Sequence, residues 1–308
     1  MTDTASPFTV IHGSSIDPYQ EKVVFTYSDD PQDWKKIIGE RLLFNWGIYN
    51  HPDSPRPVSL DEAGLRYLER QLELAGLPRP ARTPAMPSPR RILDVGCGWG
   101  FILGHLASLY PECPRLDGIN VTRRQLEHCH TYLSGMGLSD RVNLYLCNAG
   151  DVALLPDPDL TYDLVIMSGV ATHFTNDLYE EFISALASRM SPGGTVVISD
   201  TLYKDLSTYQ SAIPDLIDRQ ASGYRKDPDY FTKVLIDSGF VISAMQVLPS
   251  NSDVAHWLLE VLSNIETHYP AGATGSFKEL SVTAVNLSIG LLLDKISVYS
   301  IIATYNGR

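Results

Sequence analysis

Arg91-Ile92-Leu93-Asp94-Val95-Gly96-Cys97-Gly98-Trp99-Gly100 decides the reading of this chain. An apolar strand pattern runs directly into Asp-x-Gly-x-Gly-x-Gly, and Phe101-Ile102-Leu103 then opens a helix. The glycines let the backbone turn sharply and let a bulky ligand lie against it without a Cβ in the way. The spelling differs from the Gly-x-Gly-x-x-Gly of dinucleotide sites. It also lacks the Gly-Lys-Ser/Thr of a P-loop, which disfavours a nucleoside triphosphate.

Downstream of this loop, strand and helix patterns alternate. Strands are expected at Arg115–Ile119, Val142–Cys147, Leu164–Met167 and Thr195–Ser199, and helices at Phe101–Leu109, Arg123–Gly135 and Leu178–Met190. Ser191-Pro192-Gly193-Gly194 supplies a turn into the strand at Thr195. Such alternation implies a mostly parallel sheet with right-handed crossovers. A polar, Tyr-rich segment follows at 202–226, then a helix to Gly239, a strand at Val241–Val247, helical stretches at Asp253–His268 and Phe277–Leu293, and a last alternating strand at Ile296–Thr304.

Ligands of doubly wound sheets lie at the carboxyl ends of the strands, near the point where strand order reverses. Beside Asp94, Gly96 and Gly98, the second strand end offers Asn120, with Thr122 and Gln125 close by, where a nucleotide fold usually has an acid for the ribose hydroxyls. The third offers Asn148 and Ala149, the fourth Ser168 and then Thr172-His173, and the fifth Asp200 to Tyr203. His173 is the titratable residue of its segment and the candidate general base, with Tyr203 as a second candidate. His128 and His130 lie two apart on a helix and face different directions, so no metal site is expected.

Asp94 to Gly100, Gly118 to Gln125 and the Ser191-Pro-Gly-Gly turn resemble the class I S-adenosylmethionine (SAM) methyltransferases. The resemblance is strongest to the branch containing cyclopropane fatty acid synthases and terpenoid-type natural-product C-methyltransferases. Phe44-Asn45-Trp46-Gly47-Ile48-Tyr49 is similar to that branch's N-terminal Tyr-Ser-x-Gly-Tyr-Phe, and Ser168 to His173 to its Ser-x-Gly-x-x-Glu-His. The resemblance implies SAM as cofactor, with Asn45 and Tyr49 beside its amino-acid moiety. It implies a Rossmann-like α/β fold with a seven-stranded, mostly parallel sheet, an N-terminal helical lid and a C-terminal helical insertion. The chain departs from the branch where Thr172 stands in place of the Glu before the histidine. No Arg/Lys cluster or acidic Mg²⁺ motif is evident, which argues against a diphosphate acceptor.

The remaining features set the frame. The 308 residues, 44% apolar and 19% charged, read as globular, and a net charge of −12 disfavours nucleic acid as partner. Cys97, Cys113, Cys129 and Cys147 form no CxxC pair and read as reduced thiols. With no basic and apolar leader at Met1 and no bilayer-length apolar run, a cytoplasmic protein without a membrane span is expected. Boundaries follow as a flexible arm at 1–30, a lid at 31–77, a Pro-rich linker at 78–89, and a SAM-binding domain at 90–308 with caps at 202–226 and 250–293. The expected activity is methylation, at carbon, of a small and largely apolar natural product in secondary metabolism. The alternatives are O- or N-methylation, a cyclase or pericyclase that retains SAM without transfer, and a SAM-binding regulatory protein. The N-terminal segment is a candidate contact for a homo-oligomer.

Overall fold

The computed structural model describes residues 6–15, 20–49, 58–77, 88–204, 206 and 224–307. In chain order the elements are β1 (Thr9–Val10), α1 (Gln20–Thr26), α2 (Pro31–Ile38), α3 (Leu60–Leu74), β2 (Arg91–Val95), α4 (Phe101–Leu109), β3 (Arg115–Asn120), α5 (Arg123–Gly135), β4 (Val142–Leu146), β5 (Tyr162–Ser168), α6 (Asn176–Ala187), β6 (Met190–Tyr203), α7 (Pro228–Asp237), β7 (Phe240–Val247), α8 (Asn251–His268), α9 (Gly275–Leu292) and β8 (Ile296–Tyr305). Short 3-10 turns at Ala149–Leu154 and Ala171–His173 follow β4 and β5.

The eight strands form one sheet in the order β1-β4-β3-β2-β5-β6-β8-β7, all parallel except β8, which runs antiparallel to both β6 and β7. Strand order reverses between β2 and β5, so the glycine loop after β2 opens at the switch point. Seven strands match the expected sheet. The eighth, β1, comes from the stretch expected to be a flexible arm: Thr9 and Val10 pair with Tyr145 and Leu146.

The two N-terminal helices behave differently. Ser59 caps α3 by accepting from the Glu62 amide. The helix then packs into the core. Leu68 and Leu72 join the cluster under β2 and β3, and the Tyr67 hydroxyl donates to Ser199 Oγ at 2.7 Å and lies 2.9 Å from Ser300 Oγ. Helix α2 instead packs against α8, with Trp34, Ile37 and Ile38 buried in a second cluster shared with α8 and α9. Helices α1 and α2 thus lie with α8 and α9 at the carboxyl end of the sheet, while α3 reaches from that cluster, through Leu60, Ala63 and Tyr67, into the core beneath the strands. Most of the expected linker, at 78–87, and most of the 202–226 cap lie outside the described residues.

At the opposite end of the strands, buried Asp117 accepts from Arg91, Arg115 and Tyr162, so the polar groups there satisfy one another. All four cysteines are buried and free. No helix among the described residues is long and apolar enough to cross a membrane.

Candidate active site

The three glycines of the loop after β2 have left-handed backbones (φ +70°, +52° and +94°) but different neighbours. A Cβ on Gly96 would meet Val170 Cγ2 at 2.5 Å, and one on Gly100 would meet Cys129 Sγ at 2.6 Å. At Gly98 the nearest atom would be Gln125 Nε2 at 3.8 Å. Gly96 and Gly100 thus serve close packing against β5 and α5. The open space at Gly98 belongs to the cavity.

That cavity lies over the ends of β2 to β6. From the sheet side it is lined by Asp94, Gly96, Gly98, Asn120, Gln125, Asn148, Ala149, Ser168 and His173. Asn45 borders it from the segment after α2. The structure therefore gathers ten of the thirteen candidate residues onto one surface.

Three lie elsewhere, each for a visible reason. Tyr49 turns to α8, where its hydroxyl donates to Glu260 at 2.9 Å and its ring stacks on His256 at 4.0 Å. Thr122 is buried at the start of α5, and Tyr203 is fully buried in the core cluster beneath Trp99 and Trp257. None of the three is among the residues that line the cavity.

The side chains that do line it are unequally committed. Asn120 accepts the Val121 and Thr122 amides on Oδ1 and donates to Gln125 Oε1 at 3.0 Å, an Asx-type cap that ties its own loop. Asn148 caps the following turn through the Gly150 amide and donates to Gln20 of α1 at 3.0 Å. Asp94 is 1% exposed and its Oδ2 has no hydrogen-bond partner among the described residues. Burial raises its carboxyl to about 8. The Nδ2 of buried Asn45 is likewise unpartnered.

His173 sits in a loop held from two sides. Lys226 Nζ donates to the Ala171 and Phe174 carbonyls at 3.0 and 2.6 Å, and Asp200 Oδ2 accepts from the Thr172 amide at 3.3 Å. Burial first, and then the Lys226 charge, pull the imidazole down to about 4. It is therefore neutral, and able to accept a proton, at physiological pH. Burial raises the Asp200 carboxyl to about 6 against the pull of Lys226.

Aromatic rings complete the enclosure: Tyr27, Phe44, Trp46, Trp99 and Trp257 all border the cavity. Tyr27 meets Trp99 at 5.6 Å, Phe44 meets Trp257 at 5.2 Å and Trp46 meets Trp257 at 5.4 Å. Edge-on ring pairs of this kind contribute about 0.5–1.5 kcal/mol each beyond burial. The N-terminal cover is latched by Asp151, which accepts the Ser14 and Ser15 amides at 3.1 and 3.2 Å and the Ser15 hydroxyl at 3.0 Å. Sequence reasoning missed Gln20, Tyr27 and Lys226, because nothing local connects them to the strand ends, and it gave no role to Asp151, which closes the third strand end.

Residues 92–194 match a family model described as a methyltransferase domain. Over these residues the chain is similar to methyltransferase domains. Two curated relatives are similar in sequence. A probable tocopherol O-methyltransferase of Oryza sativa is 27% identical over 64% of this chain and 51% of its own length. The ajmaline N-methyltransferase of Rauvolfia serpentina is 26% identical over 63% and 62%. The chain thus spans less than two thirds of either relative. Among solved structures, a cyclopropane synthase from Mycobacterium tuberculosis superposes with a TM-score of 0.77 at 14% identity, covering 94% of this chain and 100% of that one.

The cavity fits the cofactor of this domain class. The open face of Gly98 can take backbone-close contact, and Asp94 and Asn45 bring an unpaired acceptor and an unpaired donor. The Gln125 amide lies next to the glycine loop.

Proposed function

We propose that this protein transfers the methyl group of SAM to a carbon of a small, largely apolar natural product. When bound, SAM supplies an electrophilic methyl on a sulfonium. The observation that carries the reading is the composition of the cavity over the strand ends. Free polar groups cluster around Asp94 and Gly98, aromatic and aliphatic walls make up most of the rest, and a neutral histidine sits on the rim loop after β5.

The roles follow from these positions. Asp94, Asn45, Gln125 and the Gly98 backbone hold the donor. Asn120 and Asn148 shape their loops, and Asn148 also fastens α1 over the site through Gln20. Ser168 and Ala149 close the floor. The five aromatic rings exclude water, and their faces favour positive charge developing on an acceptor alkene or ring. His173 takes the proton released when a carbon is methylated. Lys226 and Asp200 hold the loop that presents it.

The rice and Rauvolfia relatives are named for O- and N-methylation, and the same base could serve either reaction. Incubation with SAM carrying a ¹³C-labelled methyl and pools of apolar metabolites separates these outcomes. A labelled product gaining CH₂, with its methyl carbon at the chemical shift of C–CH₃, is expected. A methoxy or N-methyl shift would replace carbon by oxygen or nitrogen. An isomerised product without label would show a cyclase.

A further inference from the structure

The polar groups of the cavity that face away from the sheet point to the acceptor. On the side formed by α8 and α9 the walls are Trp257, Leu258, Leu280, Thr283 and Leu287. Within this apolar face, Thr283 is 2% exposed and its hydroxyl has no hydrogen-bond partner. Ser288 of the same helix and Thr26 of α1 are left open in the same way, whereas other helical hydroxyls return to the carbonyl one turn back. Thr131 does so toward Glu127 at 3.0 Å, Thr267 toward Ser263 at 2.8 Å, and Ser281 toward Phe277 in the same helix at 2.8 Å. Trp257 is fully buried, and its indole N–H is also unpartnered. A buried donor and a buried donor–acceptor left open on one apolar wall are costly unless a ligand meets them.

Charge narrows the ligand further. Among the described residues no Lys, Arg or Glu lines the cavity. Its ionisable groups are Asp94, His173, the Tyr27 phenol and two buried thiols, Cys97 and Cys147. A carboxylate or phosphate would enter a site that offers it no counter-charge. We propose that the acceptor is an uncharged molecule with a hydrocarbon body lying against α8 and α9. It carries one hydroxyl or carbonyl oxygen that hydrogen-bonds Thr283 and Trp257. This inference rests on the proposed function, since it takes the Asp94 end of the cavity as the donor's.

Probe binding tests it apart from activity. 1-Decanol, 1-chlorodecane, decanoate and decyltrimethylammonium serve as probes, measured by thermal shift and calorimetry on the full chain with and without S-adenosylhomocysteine. Decanol is expected to bind, decanoate to bind at least ten-fold more weakly, and decyltrimethylammonium, which brings no oxygen to Thr283, to bind without sensitivity to Thr283→Val. Thr283→Val keeps the side-chain shape and should weaken decanol about five- to ten-fold, the worth of a single neutral hydrogen bond, with chlorodecane unchanged. Thr283→Ser should restore the alcohol. Equal binding of decanoate, no binding of decanol, or a Thr283→Val protein that binds decanol as wild type does would overturn the proposal. Should S-adenosylhomocysteine fail to bind while decanol behaves as expected, the donor assignment falls and the acceptor pocket stands.

Discussion

Lys226 presses its charge against the loop that carries His173, donating to the Ala171 and Phe174 carbonyls on either side of it. The same contact fixes the loop and adds to the burial that keeps the imidazole neutral, so position and protonation state are set together. This changes the expected pH behaviour. From the sequence alone the imidazole would titrate near ~6.5, and activity would rise through that value. With the imidazole at about 4, the single-turnover rate at saturating SAM should show no His173 titration from neutral to mildly acidic pH, that group costing activity only toward pH 4. In Lys226→Met the midpoint should move up part of the way toward the ordinary histidine value, because burial remains. A wild-type profile that bends near ~6.5 would contradict the assignment.

The sign for stability follows from the same shift. The folded His173 pKa lies below that of the unfolded chain, so the unfolded state takes up this proton first as pH falls below ~6.5. Its contribution is constant at neutral pH and is lost as pH drops from there toward 4. Denaturant unfolding of His173→Gln should accordingly show a weaker acid sensitivity than wild type over that interval.

His173 and Tyr203 should separate in kinetics. His173→Ala is expected to lower kcat by ~10²–10⁴-fold with S-adenosylhomocysteine affinity retained, as for loss of a positioned base. Tyr203 is buried and does not line the cavity, so Tyr203→Phe should leave kcat within a few-fold. Single-turnover rates with labelled SAM read both.

Asp94 should give up a proton when the cofactor binds. Its carboxyl stands at about 8 because burial disfavours the charge, and a cationic or hydroxyl partner would draw it to the ionised form. At pH 7 the calorimetric enthalpy should therefore depend on the ionisation enthalpy of the buffer, by an amount near one proton. Asp94→Asn should bind more weakly and lose that dependence. Buffer-independent enthalpy in the wild type would count against it.

The glycines and the cover give contrasting variants. Gly98→Val should abolish cofactor binding with a stability loss of about 1–2 kcal/mol from the left-handed backbone. Gly100→Ala should destabilise through Cys129 without entering the cavity. Asp151→Ala removes three bonds to Ser14 and Ser15, and should loosen S-adenosylhomocysteine binding by about ten-fold and speed proteolysis near residue 15. Deleting residues 1–30 should leave a folded domain with weak cofactor binding. Deletion through residue 77 also removes Tyr67, Leu68 and Leu72 from the core and should yield insoluble protein.

Short-range chemistry was legible in the residues themselves. The strand, glycine loop and helix of Arg91 to Leu109, the crossover pattern and the strand-end polar residues all follow from local spacing, because turn geometry and side-chain periodicity are properties of neighbouring residues. The sequence by itself thus determined the fold class and most of the polar residues that line the cavity on the sheet side. Only the tertiary structure decided which glycine has open space beside it, since Val170 and Cys129 arrive from distant elements to fill the space at the other two. It drew the N-terminal arm onto Asp151 and Asn148, and it turned Tyr49 toward Glu260 and away from the cavity. It also set the charge on His173 and left Thr283 unpaired among apolar side chains. These outcomes depend on burial and on groups far apart in the chain, and protonation and hydrogen-bond satisfaction respond to that surrounding space.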